Sequence, residues 1–146
     1  MCGVCGAMVA HRGSFELSEA VSEMTATLRH RGPDRSAVWM ARDRTVGFGH
    51  TRLAIVDVSE SGNQPMTSSG ERWTIVYNGE LYNTDELRSS LGGMRLRGHS
   101  DTEVLLEVIA KFGVLETLRR ARGMFGLGLW DAHERELWLA RDRFGE

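Results

Sequence analysis

Two pairs of short apolar runs, each pair joined by a brief polar turn, limit this chain more than any other feature. Ala37 to Met40 and Thr45 to His50 flank Ala41-Arg42-Asp43-Arg44, and Met124 to Trp130 and Leu137 to Ala140 flank Asp131-Ala132-His133-Glu134-Arg135. Connections this short join antiparallel strands, because parallel neighbours need a crossover of a dozen or more residues. The runs also carry apolar side chains on both faces: at a period of two, Leu127 and Leu129 point one way and Trp130 the other. A sheet that is apolar on both faces must be covered on both. Leu17, Val21, Met24 and Leu28, spaced as one face of an amphipathic helix, supply such a cover. The expected class is therefore α+β, with helices layered on antiparallel sheets.

Further elements fit this plan. Val4 to Ala10 and Trp73 to Tyr77 read as strands. Gly32-Pro33 stops the first helix, and Arg29 and His30 suit its negative C-terminal end. Asn83 with Glu86 predicts a capping box opening a short helix that ends before Gly92-Gly93. Ser100 with Glu103 predicts a second, followed by the stripe Val104, Leu105, Val108, Ile109 and Phe112 and closed by Gly113.

The 146 residues suit one domain. Eighteen Lys and Arg against 20 Asp and Glu leave a net charge of −2, which supplies no electrostatic drive towards nucleic acid or an anionic membrane. No apolar run approaches the roughly 20 residues that span a bilayer. Hydrophobic residues at 41% suffice for a core, and 17 glycines against two prolines point to many turns and close backbone approaches. Two cysteines exclude a disulfide framework and a four-cysteine zinc site. The N-terminal stretch does not read as a secretory signal, and a reducing cytoplasm is expected. With no P-loop and no G-x-G-x-x-G after a strand, the chain is not expected to bind ATP by itself. The last strand reaches Arg141 and the chain stops five residues later, which suggests a domain incomplete at its C-terminus.

The candidate chemistry starts at Cys2. Removal of Met1 would leave an α-amine, with a pKa of about 7.7–8.0, on the same residue as a thiol of about 8.5. That amine can take the thiol proton and generate the nucleophilic thiolate without a histidine. A chance cysteine at the second position is the plain alternative. Cys2 and Cys5 also form a C-x-x-C, although a redox pair belongs at a helix start and this one precedes a strand. Arg52, just past a strand end, suits bidentate capture of a carboxylate or a surface ion pair. Asn78-Gly79 reads either as a type I′ hairpin turn or as two donors aimed at a developing oxyanion. Asp101 either complements a helix N-terminus or holds a substrate ammonium. His11, His30, His99 and His133 show no metal-ligand spacing, and no metal site is expected.

Taken in order, Met1-Cys2-Gly3-Val4, Arg31-Gly32-Pro33-Asp34, His50-Thr51-Arg52-Leu53-Ala54-Ile55-Val56-Asp57, Gln64-Pro65-Met66, Tyr77-Asn78-Gly79-Glu80-Leu81-Tyr82-Asn83, Ser100-Asp101-Thr102-Glu103, Gly123-Met124-Phe125 and the run from Leu139 to Glu146 resemble the N-terminal glutaminase domain of the glutamine-hydrolysing asparagine synthetases. These are class II glutamine amidotransferases of the N-terminal-nucleophile hydrolase type. The resemblance covers essentially the whole chain and implies a four-layer αββα sandwich. It implies Cys2 as nucleophile with its α-amine as base, and Asn78 and Gly79 as the oxyanion hole. Arg52 would hold the glutamine α-carboxylate, with Ile55 and Val56 on the same pocket loop, and Glu80 and Asp101 would hold the α-amino end. The implied partners are glutamine, a synthetase domain in the full-length protein and, as an option, a second copy in a homodimer. ATP and Mg²⁺ would belong to the synthetase domain, so this chain itself carries no cofactor. A different carboxylate acceptor and a non-catalytic module of the same fold are the alternatives.

Overall fold

The computed structural model describes residues 2–10, 16–54 and 59–145. In chain order its elements are β1 (Gly3–Met8), α1 (Leu17–Thr27), β2 (Arg35–Met40), β3 (Val46–Arg52), a 3-10 turn (Glu60–Gly62), β4 (Met66–Thr67), β5 (Trp73–Leu81), α2 (Thr84–Ser90), α3 (Asp101–Phe112), α4 (Val114–Arg120), β6 (Gly123–Asp131) and β7 (Glu136–Arg141). They form two antiparallel sheets, ordered β1-β3-β2 and β4-β5-β6-β7. Both predicted hairpins are present, as β2–β3 and β6–β7.

Two cores explain the two-faced strands. Ile75, Tyr77, Leu127 and Leu129 pack with Leu87, Leu105, Val108 and Ile109 in a core between the second sheet and α2, α3 and α4. Val76 and Trp130 point the other way, into a core with Val46 and Phe48 of the first sheet and Ala41 from the β2–β3 connection, and Val4, Trp39 and Leu137 pack against it. Helix α1 lies on the remaining face of the first sheet, against β1, β2 and β3. Every residue of the central strand β3 is buried in consequence.

Several expectations need correction. Strand β5 runs four residues past Tyr77, so Asn78-Gly79 lies in mid-strand opposite Gly126 and Phe125 and is not a hairpin turn. Asn83 does flank α2, but its side chain does not cap it. It accepts from Arg122 N at 2.9 Å and donates to the Arg120 carbonyl at 3.1 Å, tying the start of α2 to the α4–β6 junction. The Ser100 box is half-formed. Its hydroxyl accepts from Glu103 N, while the Glu103 carboxylate turns away to Arg97 N and Gly98 N, both at 2.8 Å. Helix α4 and strand β4 are additions that no sequence signal marked.

Asp131 closes the sheet's far end. Its buried carboxylate accepts from Arg72 Nε at 2.9 Å, Arg72 Nη2 at 2.5 Å and His133 N at 2.9 Å. Burial pushes this carboxyl up, but the hydrogen bonds from Arg72, His133 and Glu134 and the Arg72 charge outweigh burial and hold it below the usual range. The folded value is depressed, so the stabilisation is complete above the ordinary value of 3.8 and is lost as pH falls through the lowered one. Asp131→Asn should therefore lower the urea-unfolding free energy at pH 7 by about 3 kcal/mol. It should also flatten the acid limb of a stability-against-pH curve.

Candidate active site

Both sheets contribute to one cavity of about 280 Å³, at the end where β1, β3 and β5 meet the N-terminus of α3. Cys2 enters it from the head of β1. Its Sγ accepts from Leu53 N at 3.4 Å and donates to the Leu53 carbonyl at 3.8 Å. Its own carbonyl accepts from Arg31 Nε at 3.2 Å. The turn after α1 completes this clamp. A Cβ at Gly32 would overlap the Thr51 carbonyl, so only glycine lets the turn lie against β3. Beyond it Asp34 Oδ2 accepts from Ala54 N at 2.8 Å, fixing the chain just after β3.

The C-x-x-C reading fails on alternation. Cys5 points to the α1 side, with its Sγ 3.4 Å from Thr25 Oγ1, whereas Cys2 faces the cavity. The two thiols lie on opposite faces of one strand and cannot pair.

Arg52 ends β3, and its buried guanidinium donates through Nη1 to the Ser59 carbonyl at 2.8 Å and to Asn63 Oδ1 at 2.7 Å. These bonds hold a cation against the cavity wall rather than on the outer surface. Asn78, Gly79 and Glu80 line the opposite wall from β5. A Cβ at Gly79 would stand 2.6 Å from Phe125 Cβ, so β5 and β6 can close up at this point only around a glycine. Asp101 opens α3 beneath them. It accepts from Leu81 N at 3.1 Å and Tyr77 Oη at 3.2 Å through Oδ2, and from Thr102 N at 2.8 Å through Oδ1. Burial, then the Asp101 charge and its hydrogen bond, keep the Tyr77 phenol protonated by pushing its pKa far up.

Of the predicted site residues, Cys2, Arg52, Asn78, Gly79, Glu80 and Asp101 line this cavity together. Ile55 and Val56 lie outside the described residues. Sequence reasoning missed His50, Gln64, Tyr77 and Thr102, which also line it. Each stood inside a quoted motif, but no spacing rule gave it a task.

A comparison with protein families matches the glutamine amidotransferase domain over residues 1–146. The chain belongs to that family. Over 99% of its length this amidotransferase domain is 43% identical to glutamine-hydrolysing asparagine synthetase 3 of Bacillus subtilis, covering 24% of that protein. It is 38% identical to a putative glutamine-hydrolysing asparagine synthetase of Mycobacterium tuberculosis, again over 99% of the chain and 24% of the relative. It is 35% identical to the protein named amidase chry2 of Gibberella zeae, over 99% of the chain and 23% of the relative. The chain thus spans about a quarter of the length of these curated relatives. No helix among the described residues of the amidotransferase domain is long and apolar enough to cross a membrane.

His50 is a second buried titratable group of the site, 1% exposed. Burial, then the Arg52 charge, pull its pKa from 6.5 down to about 4 against a hydrogen bond to the Tyr77 backbone. A depressed folded value means that the unfolded chain binds the proton first. Stability is then complete above pH 6.5 and falls as pH drops towards about 4. Urea titrations across this window should show a loss of up to about 3 kcal/mol, and His50→Gln should remove most of that slope.

Proposed function

We propose that the domain hydrolyses glutamine to glutamate and ammonia with Cys2 as nucleophile, and that the ammonia serves a synthetase domain of the full-length protein. The observation that carries this is the gathering of Cys2, Arg52, Asn78, Gly79, Glu80 and Asp101 around one cavity. With Met1 removed, the Cys2 α-amine accepts the thiol proton and the thiolate attacks the side-chain carboxamide carbon. The Asn78 side-chain amide and the Gly79 N–H stabilise the tetrahedral oxyanion. The intermediate collapses as the α-amine returns its proton to the leaving nitrogen, releasing ammonia. Water then cleaves the γ-glutamyl thioester, giving glutamate and free thiol.

Recognition uses the ends of the substrate. Arg52 pairs with the α-carboxylate, and Ile55 and Val56 join it in binding the substrate. Glu80 and Asp101 receive the α-ammonium. Asp101 suits the task because three of a carboxylate's roughly four acceptor positions are occupied by protein donors, which leaves Oδ1 room for one more. The helix–sheet–sheet–helix order agrees with a four-layer αββα sandwich of the N-terminal-nucleophile type. A cytoplasmic setting keeps the thiol reduced.

Ammonia acceptance falls to the part of the protein beyond this chain. We assign it to aspartate, giving asparagine, because the Bacillus and Mycobacterium relatives are named glutamine-hydrolysing asparagine synthetases. ATP and Mg²⁺ belong to that part. Among the described residues, no group of three or more His, Cys, Asp or Glu could hold a metal ion.

Intact mass of the untagged chain after incubation with an electrophilic glutamine analogue tests the reading. Loss of Met1 and a single adduct on Cys2 are expected, and Cys2→Ala should show no adduct and no glutaminase activity. A folded, Met1-free chain without an adduct would overturn it. Arg52→Ala should raise KM for glutamine by about a hundredfold and change kcat far less. An unchanged KM would remove Arg52 from the pocket.

A further inference from the structure

Strand β5 presents a row of alternating N–H groups on the edge away from β6. Trp73 N on this edge donates to Ser68 Oγ at 3.2 Å, and Ile75 stands opposite Met66 of β4. There the neighbouring strand ends, since β4 has two residues. Side chains then replace it. Tyr77 N donates to Gln64 Oε1 at 2.6 Å, and Leu81 N donates to Asp101 Oδ2 at 3.1 Å. Gly79 stands midway between them and lines the cavity, and the same alternation puts its N–H on this edge.

Gln64 does more than fill one position. It is 7% exposed, and its Nε2 donates to Thr102 Oγ1 at 3.2 Å, beside Asp101 in the first turn of α3. One amide therefore joins the strand carrying Asn78 and Gly79 to the helix carrying Asp101.

We propose that Gln64 is a positioning residue, whose amide holds β5 at a set distance from α3 and takes up the Tyr77 N–H, so that the backbone donor an incoming oxygen meets on this edge, beside the Asn78 side chain, is that of Gly79. This rests on the glutaminase reading for its catalytic consequence, but not for the clamp itself. If Gln64 is lost, a second donor opens two residues from Gly79. The oxygen then has two registers to choose between, and the strand can shift relative to Asp101. The damage falls mainly on the step that needs the oxyanion donors, with a smaller effect on the grip of the α-ammonium.

The test compares Gln64→Leu, Gln64→Glu and Thr102→Val with the unaltered chain. Glutamate release gives kcat and KM, iodoacetamide gives the intrinsic reactivity of Cys2, and amide hydrogen exchange reads Tyr77. Gln64→Leu should lower kcat by about a hundredfold, leave the iodoacetamide rate within about twofold and speed Tyr77 exchange at least about tenfold. Gln64→Glu keeps the acceptor for Tyr77 N and should recover most of the kcat and the protection. Thr102→Val spares the Tyr77 bond and should mainly raise KM. A folded Gln64→Leu with kcat and Tyr77 protection unchanged overturns the proposal, as does a Gln64→Glu no better than the leucine variant. If Gln64→Leu does not fold, Thr102→Val and Gln64→Glu decide, and unchanged kinetics and exchange in the former count against the clamp. If the unaltered chain releases no glutamate, the glutaminase reading fails, and Tyr77 exchange still decides the clamp.

Discussion

The ladder between β5 and β6 runs from Trp73 opposite Asp131 to Leu81 opposite Gly123, and the rest of the molecule is arranged around it. Antiparallel pairing lets this ladder take every second N–H of β5 and turns the others to the opposite edge. Alternation also divides the side chains. Ile75 and Tyr77 enter the helix-side core, while Val76 enters the core between the sheets. One strand thus forms a wall of both cores and offers an edge that β4 covers only at its start. The site sits where that cover runs out. Asn78, Gly79 and Glu80 face a cavity whose other walls are Cys2, Arg52 and the first turn of α3.

Buried carboxylates tie the irregular segments to this frame. Asp131 holds Arg72 and the turn N–H groups of His133 and Glu134. Glu103 holds Arg97 N and Gly98 N, and Glu107 holds Ser69 N at 2.7 Å and Ser69 Oγ at 2.9 Å. Each carboxylate sits on a regular element and accepts from backbone donors of a loop that has no strand partner. For Glu103, burial raises the carboxyl pKa, but the bonds from Arg97 and Gly98 outweigh it and set the balance below the ordinary value. Loop donors satisfied in this way let segments without regular structure pack closely against the sheets.

Legibility followed the range of the interaction. The α1 and α3 stripes, the two hairpins and the opposed facing of Leu129 and Trp130 depend on neighbours a few residues apart, and all could be read in advance. The Asn83 cap could not. Its side chain is drawn away by Arg120 and Arg122, which approach only once α4 and β6 are in place. The Asn78-Gly79 turn failed for a related reason. The dipeptide has turn chemistry by itself, but Gly123 to Gly126 lie alongside as a ready partner strand, and nine paired residues outweigh one local preference. Among the site residues, Cys2, Arg52 and Asp101 stood out by chemistry and position. Gln64 did not, since a neutral amide carries no signal until its two partners are known.

By itself the amino-acid order determined the α+β class, the antiparallel hairpins, the family resemblance and a short set of reactive residues, because periodicity and residue chemistry are local properties. Tertiary structure decided which of those residues share a cavity, that the two thiols face opposite ways, and that Gly79 lies in mid-strand between two residues whose N–H groups meet side-chain acceptors. Those outcomes depend on contacts between segments dozens of residues apart, such as Cys2 with Leu53 and Gln64 with Thr102. Such contacts arise only when both sheets close around their shared core, so no short stretch of the chain contains them.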